Sequence, residues 1–85
     1  MSMILLLEDE PIIAIDLENT LIEAGAFDVT ILRSCRAALE WLERNRPDLV
    51  ILDIHLSDGV CEKVVEALDD TGIPYIVSTA SVKEF

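Results

Sequence analysis

Two short apolar runs constrain the fold of this chain more than any other feature, because each ends abruptly in acidic residues. The first run, Met3–Leu7, is followed by Glu8 and Asp9, and the second, residues 49–52, is followed by Asp53. Strands that are apolar on both faces are typical of the middle of a parallel sheet that helices cover on both sides. We therefore expect two central strands, each with carboxylates at its carboxyl end.

Amphipathic segments follow the apolar runs and predict three helices. The first begins at Pro11, whose fixed φ suits a first helical turn, and it ends at Gly25. Ser34 is a candidate N-cap for a second helix over residues 35–45, and a third helix of about ten residues ends before Gly72. The apolar side of the first helix is formed by Ile13, Leu17, Leu21 and Ala24.

A second strand over residues 27–32 and a fourth over residues 73–79 complete the order β-α-β-α-β-α-β. This order predicts a right-handed, doubly wound parallel sheet of the α/β class, and a length of 85 residues predicts a single domain over residues 1–85. In such sheets ligand chemistry collects outside the carboxyl ends of the strands. The acidic residues that end the first and third strands are therefore where a site is expected.

The charge balance disfavours two kinds of partner. The chain has 17 acidic and 6 basic residues, for a net charge of −11, and such a charge repels nucleic acid and anionic membrane surfaces. Hydrophobic residues make up 52% of the chain, which is enough for a core, but no apolar run approaches the ~18–20 residues of a membrane span. The first residues lack the basic region of a signal peptide, so we expect a cytoplasmic protein.

The chain has two cysteines, Cys35 and Cys61, which form neither a CxxC motif nor a disulfide framework. We expect both to be reduced and to act as small, partly buried hydrophobic side chains.

Three carboxylates meet if the first and third strands are neighbours. Asp9 and Asp53 then converge, with Glu8 beside them, and their mutual repulsion favours a bound cation. Hard oxygen ligands suit Mg²⁺, which keeps several waters and needs only one or two protein carboxylates. Residues 8–10 alone are also explained as a solvated acidic turn. Asp53 favours the cation site over the solvated turn. A carboxylate at the end of an apolar strand loses hydration, and a purely structural role does not explain why the chain bears that cost.

Three motifs give the chain a resemblance to a known family. They are residues 4–11 (ILLLEDEP), residues 47–59 (PDLVILDIHLSDG) and residues 72–80 (GIPYIVSTA), in this order and spacing. Together they resemble the receiver (response-regulator) domain of two-component signalling. The resemblance implies a flavodoxin-like receiver fold with strand order 2-1-3-4, the family's fifth strand being absent from these 85 residues.

The resemblance also implies a role for individual residues. Asp53 matches the phosphoacceptor, which takes a phosphoryl group from a histidine kinase or a phosphotransfer protein. Asp9 matches the direct Mg²⁺ ligand, Glu8 acts largely through water, and the backbone carbonyl of His55 matches the third protein ligand. Thr79 matches the switch hydroxyl that turns towards the phosphoryl oxygen.

The chain departs from the family pattern at its C-terminal end. The fifth strand and helix, and the lysine that pairs with the phosphoryl oxygen, are missing, and Lys83 follows Thr79 too closely to replace that lysine. The chain is therefore expected to be either a fragment of a longer receiver or a naturally shortened one. The fourth strand is then an unpaired apolar edge over residues 73–77, which could support a homodimer.

Three functions remain open at this point. The first is a receiver that accepts phosphate at Asp53 with Mg²⁺ and has no external substrate, so that it is not an enzyme in the ordinary sense. The second is a pseudo-receiver, a protein-interaction module that does not switch by phosphorylation because the lysine is absent. The third is a Mg²⁺-dependent phosphatase or small hydrolase with Asp53 as its nucleophile, which the small size and the lack of a candidate substrate pocket disfavour.

Overall fold

The computed structural model describes residues 2–53 and 61–78, in which strands and helices alternate along the chain. The elements are β1 (Met3–Leu7), α1 (Pro11–Glu23), β2 (Asp28–Leu32), α2 (Cys35–Leu42), β3 (Leu49–Asp53), α3 (Glu62–Thr71) and β4 (Tyr75–Ser78). The predicted α/β fold with a doubly wound parallel sheet is therefore confirmed.

The sheet has the order β2-β1-β3-β4, and each pair of neighbouring strands is parallel. This order confirms the strand order 2-1-3-4 of the receiver fold. Leu7 is aligned with Leu32 of β2 and with Leu52 of β3, and Asp53 is aligned with Ser78 of β4. Because of this register, the carboxyl ends of all four strands lie along one edge of the sheet.

The main hydrophobic core lies between the sheet and the pair of helices α2 and α3. Alternate residues of a strand point to opposite faces, and Leu5 and Leu7 of β1 contribute to the same face as Val50 and Leu52 of β3. The helices cover this face with fully buried side chains, namely Ala38 of α2 and Val64 and Leu68 of α3. Trp41 is partly buried and packs against this core.

The predicted helix boundaries are explained by local hydrogen bonds and backbone conformation. The side chain of Ser34 caps α2 as expected, since its Oγ accepts a hydrogen bond from the Ala37 N–H at 3.1 Å. Gly72 adopts the left-handed conformation after α3, with φ of 73°, which closes the helix with little steric cost. Among the described residues, no helix has the length and apolar composition needed to cross a membrane.

Three boundaries differ from the prediction. The second strand begins at Asp28 rather than residue 27, and Phe27 is 72% exposed. Helix α2 ends at Leu42 rather than residue 45: the N–H groups of Glu43 and Arg44 donate to the carbonyls three residues back, at 3.3 and 3.1 Å, and the Asn45 side chain donates to the Trp41 carbonyl at 2.9 Å. The fourth strand begins at Tyr75 rather than residue 73.

The first helix is less one-sided than predicted. Ile13, Leu17 and Leu21 are partly buried, but Ala24 is exposed, because it is the C-cap residue and lies beyond the last helical turn. The fully buried contact of α1 is instead made by Ala14.

The expectation that both cysteines are reduced is wrong for this structure. Cys35 and Cys61 are joined by a disulfide, with their Cα atoms 5.4 Å apart. Cys35 is the first residue of α2 and Cys61 is the N-cap of α3, and these two helices pack side by side on one face of the sheet. The sequence separation of 26 positions between the cysteines gives no sign of this proximity.

Candidate metal centre

The structure brings three acidic side chains together at the carboxyl edge of the sheet. Glu8 and Asp9 follow β1, and Asp53 is the last residue of β3. One carboxylate oxygen from each lies within 4.8 Å of the others. This is the edge at which doubly wound sheets place their ligands.

The register of the parallel strands explains why Glu8 meets Asp53. Leu7 is aligned with Leu52, so the residue after each lies beside its counterpart on the neighbouring strand. The Glu8 N–H donates to the Leu32 carbonyl at 3.1 Å, which extends the β1–β2 ladder by one residue. Glu8 therefore has a position defined by strands on both sides.

The two strand-end carboxylates lie on the opposite face of the sheet from the main core. Side chains alternate along a strand, so Glu8 and Asp53 are on the other face from Leu7 and Leu52. On that face Glu8 lines a shallow cavity of about 200 Å³ together with Pro11 and other residues of α1. Helix α1 thus forms one wall of a cavity that adjoins the candidate site at Glu8.

Burial makes the arrangement costly unless the charges are compensated. Glu8 is 1% exposed and Asp53 is 2% exposed, whereas Asp9 is partly exposed. An ionised carboxylate without solvent needs hydrogen bonds, a counter-charge or a proton. The Glu10 N–H supplies one hydrogen bond, to Oε2 of Glu8, at 3.0 Å.

Protonation supplies a further part of the compensation. Burial raises the pKa of Glu8 from its ordinary value of 4.5 to about 7, the Glu10 hydrogen bond opposes this shift, and the negative charges of Asp53 and Asp9 add to it. A hydrogen bond between the Glu8 and Asp53 side chains also favours the protonated form of Glu8. Glu8 therefore keeps its proton up to near neutral pH.

The donor set fits a hard divalent cation. Three carboxylates offer oxygen ligands only, and one or two of them suffice for Mg²⁺ with its retained waters. A cation would also relieve the repulsion that, after burial, contributes to the raised pKa of Glu8. Glu8, Asp9 and Asp53 are thus able to hold such an ion. His55 and Thr79, the other predicted site residues, lie outside the described residues.

Arg33 is a member of the site that the sequence analysis did not consider. Its Nη2 donates to the backbone carbonyl of Asp9 at 3.4 Å, and its side chain lines the cavity that Glu8 also lines. Arg33 directly follows β2, so it reaches the same edge as the acidic residues. Its position directly after a strand is the signal that could have identified it.

The comparison with known families agrees with this geometry. A family model described as the response regulator receiver domain matches residues 4–85. The chain therefore belongs to the receiver domain family.

Three relatives illustrate the range of proteins that this chain is similar to. It is 35% identical over 85 residues to the phyllosphere-induced regulator PhyR of Methylorubrum extorquens, with 96% of this chain and 32% of that protein covered. A structure of the response regulator MaeR bound to beryllium trifluoride is 30% identical with a TM-score of 0.82, with 98% of this chain and 70% of that chain covered.

The third relative is a PhyR in complex with a partner. The anti-anti-sigma factor PhyR of Bartonella quintana, complexed with the anti-sigma factor NepR, is 30% identical with a TM-score of 0.72. The match covers 89% of this chain and 32% of that one. The chain thus spans about a third of the length of the PhyR proteins that it matches.

The raised pKa of Glu8 predicts a pH-dependent stability in the absence of metal. Because the folded state binds the proton more tightly than the unfolded state, this contribution is fully present below pH 4.5 and is lost as the pH rises through about 7. Glu8→Gln cannot ionise, so in EDTA it should match the wild type near pH 4.5. Near pH 8 it should exceed the wild type by on the order of 2–3 kcal/mol in free energy of unfolding.

Urea unfolding at several pH values measures this difference, and Glu66→Gln on the exposed side of α3 is the matched control. The same pH dependence in wild type and Glu8→Gln would contradict the assignment of the titration to Glu8.

Proposed function

We propose that this receiver domain accepts a phosphoryl group on Asp53 in a two-component phosphorelay, with Mg²⁺ held by Glu8, Asp9 and Asp53. The observation that carries the proposal is the meeting of these three carboxylates, within 4.8 Å, at the carboxyl edge of the sheet. Asp53 lies at the end of the buried strand β3, where a nucleophile is held still by the β1 and β4 ladders. The similar structure of the response regulator MaeR, which is bound to beryllium trifluoride, supports the proposal of phosphoryl chemistry at this site.

The proposed reaction is a single group transfer. A carboxylate oxygen of Asp53 attacks the phosphorus of a phosphohistidine, an O–P bond forms, and the P–N bond to the imidazole breaks. The electron pair of that bond goes to the imidazole nitrogen, and the product on this chain is an acyl phosphate. When bound, Mg²⁺ would offset negative charge between the carboxylate and the phosphoryl oxygens. Glu8 and Asp9 would hold that ion, and Arg33 donates a hydrogen bond to the backbone carbonyl of Asp9.

The proposed partners are proteins of the same signalling pathway. A histidine kinase or a phosphotransfer protein donates the phosphoryl group, and the net charge of −11 favours a basic docking surface on that donor. The chain catalyses its own phosphorylation and has no external substrate in this proposal. A complex with an anti-sigma factor is known for one PhyR protein, and we propose an output partner that is likewise a signalling protein.

The alternative is a pseudo-receiver that binds partners without phosphorylation. It is favoured by the proton that Glu8 holds near neutral pH. In that case neither Mg²⁺ nor a phosphoryl donor changes the domain, and the two experiments below separate the two functions.

Loss of one carboxylate ligand should weaken Mg²⁺ binding. Asp9→Asn should raise the dissociation constant at least about tenfold, because a hydrogen bond or contact to a charged group contributes roughly 1.5–3 kcal/mol and each 1.4 kcal/mol is tenfold. Asp16→Asn on the exposed side of α1 should leave the constant unchanged. Titration calorimetry at pH 8 measures both, and equal constants for the two variants would remove Asp9 from the site.

Phosphorylation should depend on Asp53. With acetyl phosphate or a phosphorylated donor, the wild type should gain acid-labile, hydroxylamine-sensitive phosphate that requires Mg²⁺. Asp53→Asn keeps the shape but removes the nucleophile, so this phosphate should vanish. Asp70→Asn on the exposed side of α3 is the control and should be labelled normally. Label that persists in Asp53→Asn would show another acceptor, and no label in the wild type would favour the pseudo-receiver.

We also propose that two copies of this 85-residue chain associate through β4. In the described part of the sheet β4 is an edge strand, and Ile76 and Val77, which point to opposite faces, are 54% and 49% exposed. An apolar edge of this kind pairs readily with another strand.

A charge on this edge should prevent the association. Ile76→Lys should keep the chain monomeric at concentrations where the wild type dimerises, because a lysine on an edge strand blocks pairing. Ile12→Lys places the same charge at the most exposed isoleucine of α1, and this variant should dimerise as the wild type does. Light scattering over a concentration series gives the answer, and a wild type that stays monomeric throughout would refute the proposed dimer.

A further inference from the structure

Each of the two cysteines lies at the N-terminal end of a helix, and the disulfide ties these two ends together. Cys35 is the first residue of α2 and Cys61 is the N-cap of α3. Their Cα atoms are 5.4 Å apart, within the range of 4.4–6.8 Å that disulfides require. The helix packing of the native fold therefore provides the geometry of the bond.

The two sulfurs differ in access. Cys61 is only 6% exposed and belongs to the main core, whereas Cys35 is partly exposed and packs against the edge of that core. A small thiol from solution reaches Cys35 more easily. If it attacks there, the leaving group is the Cys61 thiolate, and the partial positive charge at the N-terminus of α3 stabilises that thiolate. A more stable leaving thiolate makes the exchange faster.

We propose that Cys35 and Cys61 form a reversible redox-modification site whose co-reactant is a low-molecular-weight thiol–disulfide couple. The proposal stands independently of phosphorylation at Asp53. In the cytoplasm, where we expect this chain, disulfides are usually transient and redox-sensing, which agrees with an exchangeable bond.

The exchange balances in two steps. The sulfur of a small thiolate attacks Sγ of Cys35, the bond between the two Sγ atoms breaks, and its electron pair goes to Sγ of Cys61, which takes up a proton. A second small thiolate then attacks the small-molecule sulfur of the mixed disulfide on Cys35. This releases the Cys35 thiolate and a small-molecule disulfide. In total two electrons pass from two small thiols to the protein, and the reverse sequence restores the bond.

The position of the bond connects its redox state to the sheet. Cys61 belongs to the same buried cluster as Leu7 and Leu52, the residues that directly precede Glu8 and Asp53. Helices α2 and α3 cover this cluster, and breaking the bond removes the covalent link between them. We therefore expect reduction to loosen the first turn of α3 while the chain stays folded.

The test equilibrates the folded wild-type chain with a series of mixtures of reduced and oxidised glutathione, without denaturant. Acid quenching and maleimide labelling then give the dithiol fraction by intact mass. We expect the chain to pass from disulfide to dithiol along the series and to return when the order is reversed. Reduction should increase the rate of hydrogen exchange, relative to the oxidised chain, more in the first turn of α3 than in β1.

Two single variants test the route of exchange. Cys61→Ser leaves only the accessible Cys35, and Cys35→Ser leaves only the buried Cys61. Oxidised glutathione should form a mixed disulfide with Cys61→Ser at least about tenfold faster than with Cys35→Ser, since the access of the remaining sulfur governs the rate.

Several results would overturn the proposal. One is a bond that resists every mixture until denaturant is added, which would make it a structural cross-link. A second is a chain that stays dithiol under oxidised glutathione while folded. Equal rates of mixed-disulfide formation in the two single variants would overturn the assignment of Cys35 as the attacked sulfur.

Discussion

The repulsion between carboxylates at the edge of the sheet is the constraint on which the site depends. Glu8 and Asp53 are almost completely buried side by side, and the alignment of Leu7 with Leu52 prevents them from moving apart. The molecule reduces the cost by binding a proton near neutral pH, by the Glu10 hydrogen bond and by leaving Asp9 partly exposed. A bound cation would compensate these negative charges more completely, so this edge of the sheet favours positive charge.

Hydrophobic patterning was sufficient to predict the parts of the structure that depend on local sequence. Two wholly apolar runs predicted β1 and β3, and the cap at Ser34 predicted the start of α2. The patterning did not predict features that depend on contacts between distant segments. The Cys35–Cys61 disulfide arises from the packing of α2 against α3, and Arg33 joins the site only because β2 lies beside β1.

The sheet is covered unequally on its two faces, and this explains why α1 was harder to predict than α3. Helix α3 packs into the main core together with α2, and its buried positions Val64 and Leu68 are four residues apart, on one side of the helix. In α1 only Ala14 is fully buried, while Ile12 and Ile15 are 76% and 54% exposed. A helix that is apolar on several sides has no single period-3.6 stripe to reveal which side faces the sheet.

The alignment of β1 with β3 also determines which genetic changes the site can tolerate. Side chains alternate along a strand with a period of two, so deleting or inserting one residue within residues 49–52 would turn Asp53 to the other face, among Leu7 and the helices α2 and α3. Substitutions that keep the length of β3 preserve the site, even when they change the size of its side chains. In the evolution of this domain, the number of residues in β3 is therefore expected to vary less than their identity.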